Sequence, residues 1–351
     1  MKVGKYFRKA TRRLTRSRGV QFAVASGVRG AMGMVRSLGP DRAPDSLGRL
    51  ASAIGRFLPE ERVARKNIAA AFPEKSEAER ERILRGAWAS FGRLAAEYVH
   101  LESLVADIDP ERPTGGRIEV AGVEHFLALR DDGRPGIIFS AHLGCWEMLP
   151  VVAARYGLPL LSLYRAPVNA VLAKDLARRR EALMGRLVDS SRGATFEIGA
   201  ALERGDHLGL LTDQFHHSGH VVTLFGRQTR ANPLVGRLAR QYECPVHGAR
   251  SIRLPDGRYR LELTPAFDLP RDAEGRIDAE GTTALVMSVV EGWVREHPEQ
   301  WLWQHDRWKR NGKPLPDALA ARGPAVSTAS EPCGSGTAPH DDDPETAQER
   351  R

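Results

Sequence analysis

The sequence predicts an α/β protein with a largely parallel central sheet flanked by helices, preceded by a helical N-terminal region that associates with membranes. Three observations predict it. Short apolar runs alternate with stretches of helical periodicity from about residue 117 onward. The turn Pro255-Asp256-Gly257 separates two strand patterns, Cys244 to Leu254 and Tyr259 to Thr264, and marks an antiparallel edge pair. A basic arm followed by a weakly apolar segment opens the chain.

That arm, Met1 to Arg18, carries Lys2, Lys5, Arg8, Lys9, Arg12, Arg13, Arg16 and Arg18 and no acidic residue. Such a run favours an anionic partner, whether phospholipid, nucleic acid or an acidic protein. Residues 19–35 are apolar but broken by Gln21 and Arg29, which is marginal for a membrane span. They also lack a cleavage pattern of small residues, which argues against a signal peptide. Arm and segment together read as an interfacial anchor on the cytoplasmic face of a membrane, with a single span as the alternative.

Residues 41–110 read as helical. The run ending at Ala71-Phe72 is stopped by Pro73, and Ser76 with Glu79 has capping-box spacing ahead of a long helix through Val99. Gly136 to Ala141 is a short apolar run and hence a buried strand. Glu147 to Tyr156 follows as helix, Leu158 to Tyr164 as strand, Leu172 to Leu187 as a basic helix and Leu208 to Thr212 as strand. Pro233 to Tyr242 and Thr282 to His297 complete the helices. After Lys313, Gly, Pro, Ser, Thr and Asp dominate, and the expectation is a disordered tail.

Cysteine usage excludes a disulfide framework and a cysteine zinc site, because Cys145, Cys244 and Cys333 lie far apart with no C-x-x-C spacing. Neither a Walker loop nor a Rossmann glycine loop is present. The tryptophans Trp293, Trp301, Trp303 and Trp308 read as core and interfacial anchors, and no nucleic-acid-binding motif accompanies them.

The chemistry points to Ser140-Ala-His-Leu-Gly-Cys-Trp-Glu147. The spacing of His142 and Glu147 proves little, since the 11 histidines and 44 acidic residues make such a pair common by chance, and His340/Glu345 repeats it in the tail. Position is the stronger signal. His142 follows a strand at its carboxyl end, where α/β proteins bind ligands. A histidine there can take the proton of an attacking hydroxyl if a carboxylate holds its tautomer, and Glu147 is the expected carboxylate. Cys145 as a nucleophile is the competing reading. A metal-dependent hydrolase built on Asp213, His216 and His220 is another. A basic adaptor without catalysis is a third.

The segment Ala141-His-Leu-Gly-Cys-Trp-Glu147 resembles the His-x-Gly-Asn-Trp-Glu box of the bacterial lipid A late acyltransferases, within the lysophospholipid/glycerolipid acyltransferase superfamily. Further segments fall in the same order: Tyr164-Arg165-Ala-Pro167, the arginine helix Arg178 to Gly185, Thr212-Asp-Gln214 with Val222 to Gly226, and Trp301-Leu-Trp-Gln-His-Asp-Arg-Trp-Lys309.

The resemblance implies a glycerolipid-acyltransferase-like fold. It also implies transfer of an acyl chain from acyl carrier protein to a hydroxyl of a lipid A precursor, with no cofactor or metal, at the inner membrane. In that role His142 is the general base and Glu147 its orienting carboxylate. Arg180 or Arg179, Asp213 and Arg165 become substrate-binding residues. Relatives that acylate other glycolipids or phospholipids leave the acceptor open. The chain departs from the pattern at Cys145, where the family has Asn, at Arg227 to Asn232, and at Asp306. The divisions expected are a basic, weakly apolar membrane anchor at 1–40, an acyltransferase domain at 41–312 and the tail at 313–351.

Overall fold

The structure is a computed structural model that describes residues 18–308, apart from 107, 115, 159, 168, 191 and 192. Most of the basic arm and the whole tail therefore lie outside the described residues, as does the pair His340/Glu345.

Four helices precede the sheet: α1 (Arg18–Ser37), α2 (Gly39–Gly55), α3 (Glu60–Ala71) and α4 (Glu77–Leu104). The start of α4 is fixed by the capping box. Ser76 Oγ accepts from the Glu79 amide, and the Ser76 amide donates to Glu79 Oε2 at 2.8 Å. Then come β1 (Ile118–Ala121), α5 (Val123–Asp131), β2 (Ile137–Ser140), α6 (Met148–Arg155) and β3 (Leu160–Tyr164). They are followed by α7 (Ala170–Met184), β4 (Gly185–Asp189), α8 (Ala194–Glu203) and β5 (His207–Leu211). The hairpin β6 (His220–Leu224) and β7 (Arg227–Ala231) leads into α9 (Leu234–Tyr242). The strands β8 (Val246–Arg253) and β9 (Tyr259–Leu263) and the helix α10 (Ala279–Glu296) close the chain.

Seven strands form the central sheet in the order β1-β9-β8-β2-β5-β3-β4. Every pairing is parallel except β8 with β9, the pair joined through Pro255-Asp-Gly, which lies inside the sheet and not at its expected edge because β1 pairs along the outer side of β9. The central strand β2 is buried along its whole length, which is why it reads as an unbroken apolar run. Its side chains alternate between the two layers that cover the sheet. Ile137 and Phe139 join a core with α3, α9 and α10, and Ile138 joins one with α5 and α6.

The basic helix expected over Leu172 to Leu187 stops at Met184. Gly185 turns the chain at φ +90° and the next residues pair with β3 as the edge strand β4. The hairpin β6–β7 turns on Phe225 and Gly226, both at positive φ, as a tight primed turn requires. A phenylalanine tolerates that backbone here because its amide donates to Glu291 Oε2 at 2.6 Å. Its ring also packs among Phe72, Trp301, Trp303 and Trp308.

No helix among the described residues is long and apolar enough to cross a membrane. The helix α1 instead exposes Phe22, Val24 and Met34, and the α2 region exposes Leu50, Ile54 and Phe57. The helix α1 is anchored elsewhere by Arg29, paired with Asp175 of α7 at 2.7 Å, and by the Val35 carbonyl near His100 Nε2 of α4.

Candidate active site

The strands β2 and β5 are parallel neighbours with Ser140 opposite Leu211, and the Thr212 amide extends their ladder to the Ser140 carbonyl at 2.9 Å. Their carboxyl ends therefore deliver His142 and Asp213 side by side. The turn after His142 is stitched to the C-terminal segment. Gly144 N–H donates to the Gln300 carbonyl at 3.0 Å, and Leu302 N–H donates to the His142 carbonyl at 3.1 Å. Gly144 has φ +59°, and a Cβ there would sit 1.9 Å from the Ser251 carbonyl oxygen. Both space and backbone conformation demand glycine. Gly144→Ala is expected to destabilise the protein by at least about 1–3 kcal/mol, read as a lowered urea midpoint. An unchanged midpoint would show that the turn relaxes without cost.

Asp213 is enclosed by donors. His142 Nδ1 lies 2.6 Å from its Oδ1, while its Oδ2 accepts from the His142 amide at 3.2 Å, from Trp301 Nε1 at 2.8 Å and from Arg307 Nη2 at 2.8 Å. Arg307 is itself buried. It stacks 3.7 Å from the Trp301 ring centroid, and its Nε donates to the Asp213 carbonyl at 2.7 Å. Burial by itself would raise the Asp213 carboxyl, but the charges of His142 and Arg307 outweigh it and hold the group far below the usual carboxylate range. An ionised Asp213 accepts only, so in its neutral form His142 carries its proton on Nδ1 and presents a lone pair at Nε2. Nε2 lies 3.1 Å from Gln214 Nε2, and the edge-to-face contact of the imidazole with Trp146 sets the ring's orientation.

Glu147 does not fold back onto His142. Its carboxylate is taken by Arg180, whose Nε donates to Oε2 at 3.1 Å while Nη2 pairs with Oε1. The expectation that Glu147 orients the imidazole is thus corrected: Asp213 occupies the Nδ1 side. The adjacency of β2 and β5 puts Asp213 within reach, whereas Glu147 sits at the start of α6 and meets α7.

Arg179 and Arg180 meet different neighbours. Arg179 turns toward α4, donating to the Val99 carbonyl at 2.5 Å beside the Tyr98 ring, whereas Arg180 lines the site between the rings of Tyr98 and Tyr164. His142, Glu147, Arg165, Arg180 and Gln214 line one cavity of about 860 Å³, whose apolar wall includes Ile138, Leu160, Leu187 and Ile198. That size suits a ligand carrying an extended apolar group.

Two competing readings fail on placement. Cys145 is fully buried, and burial followed by the nearby charge of Glu97 pushes its thiol well up, which disfavours the thiolate a nucleophile needs. The Asp213/His216/His220 cluster does not converge. Asp213 is already saturated, and His220 Nδ1 lies 3.1 Å from Thr283 Oγ1 on α10. Among the described residues no group of three or more His, Cys, Asp or Glu side chains is placed to hold a metal ion.

The sequence reads Trp301 only as a core or interfacial anchor and gives Arg307 and Gln214 no place in the site. The signal was present in the block Trp301 to Trp308 and in Asp213-Gln214, but nothing in either shows which strand end they would seal.

The chain belongs to the bacterial lipid A biosynthesis acyltransferase family, whose model matches residues 10–310. It is 26% identical over 261 residues to the lipid A biosynthesis lauroyltransferase of Escherichia coli K12, covering 73% of this chain and 81% of the relative. It is also 26% identical over 263 residues to the lipid A biosynthesis myristoyltransferase of the same strain, covering 73% and 77%. A lipid A biosynthesis acyltransferase of Haemophilus influenzae is 23% identical over 290 residues, covering 79% and 86%.

Proposed function

We propose that the protein moves a fatty acyl chain from acyl carrier protein to a hydroxyl of a lipid A precursor, with His142 as general base. The observation that carries this is the pairing of His142 Nδ1 with Asp213, which leaves Nε2 facing the cavity as a proton acceptor. The acceptor hydroxyl gives its proton to Nε2 as its oxygen attacks the thioester carbonyl. The tetrahedral intermediate then expels the thiolate as the C–S bond breaks, and the imidazolium returns the proton to that thiolate. Asp213, held ionised by Arg307 and Trp301, stabilises the imidazolium without taking its proton. Arg180, aligned by Glu147, and Arg165 supply positive charge for a phosphate or for the developing oxyanion.

The working place is the cytoplasmic face of the inner membrane. The basic arm and the exposed Phe22, Val24, Met34 and Phe57 support an interfacial attachment to an anionic surface. Mass spectrometry of lipid A from cells with and without the gene tests the reading. The expected result is the loss of one secondary acyl chain, whose mass reports the donor length. Unaltered lipid A alongside a changed glycolipid or phospholipid would move the acceptor elsewhere.

A further inference from the structure

We propose that Gln214 guards the base: with no acceptor bound, its amide occupies the proton-accepting nitrogen of His142 and keeps water from being activated against the acyl donor. This rests on His142 being the base, as argued above. With the Nδ1 proton held by Asp213, the neutral imidazole offers only a lone pair at Nε2, and the Gln214 amide presents its NH2 group to it at 3.1 Å. The rest of His142 is already engaged. Its amide donates to Asp213, its carbonyl accepts from Leu302, and the ring meets Trp146. Nε2 is the remaining polar atom, and Gln214 covers it.

The covering group is built to leave. Its root is fixed, because the preceding residue Asp213 is held through both side chain and carbonyl by Arg307, yet the Gln214 side chain is exposed and lines the cavity. A neutral hydrogen bond at an exposed position biases occupancy only roughly threefold to tenfold. An oriented acceptor hydroxyl, held by the remainder of its molecule, displaces such a group; a lone water has no such advantage. In the reaction being suppressed, a water proton passes to Nε2 as its oxygen bonds the thioester carbonyl carbon. The C–S bond breaks and the thiolate recovers that proton, giving free fatty acid and thiol.

The test uses the full-length enzyme with an acyl-acyl carrier protein as donor and a lipid A precursor as acceptor. Thiol release and acylated acceptor are measured together for wild type, His142→Ala, Gln214→Leu and Gln214→Leu/His142→Ala. The proposal expects the ratio of hydrolysis to transfer to rise roughly threefold to tenfold in Gln214→Leu. It also expects the added hydrolysis to vanish in the double variant. A ratio equal to that of wild type, with both rates falling together, assigns Gln214 a structural role and overturns the proposal. So does added hydrolysis that survives loss of His142. If the wild-type enzyme itself shows no transfer that depends on His142, the underlying reading falls, an outcome distinct from an unchanged ratio.

Discussion

Asp213→Asn is expected to lower acyl transfer by roughly 10²- to 10⁴-fold. An amide at this position presents an NH2 group that competes with the Nδ1 proton, so the imidazole can settle in the tautomer that puts hydrogen on Nε2 and removes the base. The same change strands the buried Arg307, whose guanidinium faces Asp213 Oδ2. Removing one partner of a buried pair costs about 3–5 kcal/mol, a large part of the roughly 5–15 kcal/mol that holds a domain together. The two effects are separable. Asp213→Asn/Arg307→Met removes the stranded charge, so its stability should recover relative to the single variant while turnover stays low. Thermal denaturation and an acyl-transfer assay on the same preparations distinguish them.

Glu97→Gln carries the second large effect, an expected loss of about 3–5 kcal/mol measured by urea denaturation. Glu97 of α4 is fully buried and takes Arg253 through both oxygens at 2.5 Å, while Tyr259 donates its hydroxyl at 3.0 Å. Arg253 in turn donates to Ser90 Oγ at 2.7 Å and to the Gly144 carbonyl at 3.2 Å. Burial would lower the Arg253 guanidinium, but the Glu97 charge prevails and holds it above its ordinary value. This pair ties the long helix, the end of β8 and the turn after His142 into one unit. In the double variant Glu97→Gln/Arg253→Met the loss should be smaller than the sum of the two singles, because neither leaves the other's charge buried. Strict additivity would show that the two side chains are not energetically coupled.

Much of the fold was legible because it rests on local chemistry. The Ser76/Glu79 box, the Pro255-Asp-Gly turn and the continuous apolar run of β2 are each signalled within a few residues of chain. The edge strand β4 was hidden because it follows a helix with only Gly185 between them, and its residues Arg186 to Asp189 are half polar. The hairpin β6–β7 was hidden because its turn uses Phe225, a residue that accepts a left-handed backbone only among its aromatic neighbours. The site shows the same division. His142 was visible from its place after a strand. Its true carboxylate partner lies 71 positions away, and the sequence-local candidate Glu147 has a nearer cation in Arg180. Only the order of strands in the sheet, with β5 beside β2, decides between them.

Asp213, and not Glu147, holds the imidazole of His142. A steady-state comparison of Asp213→Asn with Glu147→Gln, using a labelled acyl donor and a lipid A precursor, measures whether that pairing carries the chemistry. Asp213→Asn should lose kcat by roughly 10²- to 10⁴-fold, whereas Glu147→Gln should keep kcat within about tenfold and raise KM, because it loosens Arg180 and leaves the imidazole in place. The reverse pattern, with kcat lost in Glu147→Gln and nearly wild type in Asp213→Asn, would make Glu147 the partner of the base and remove Asp213 from that role.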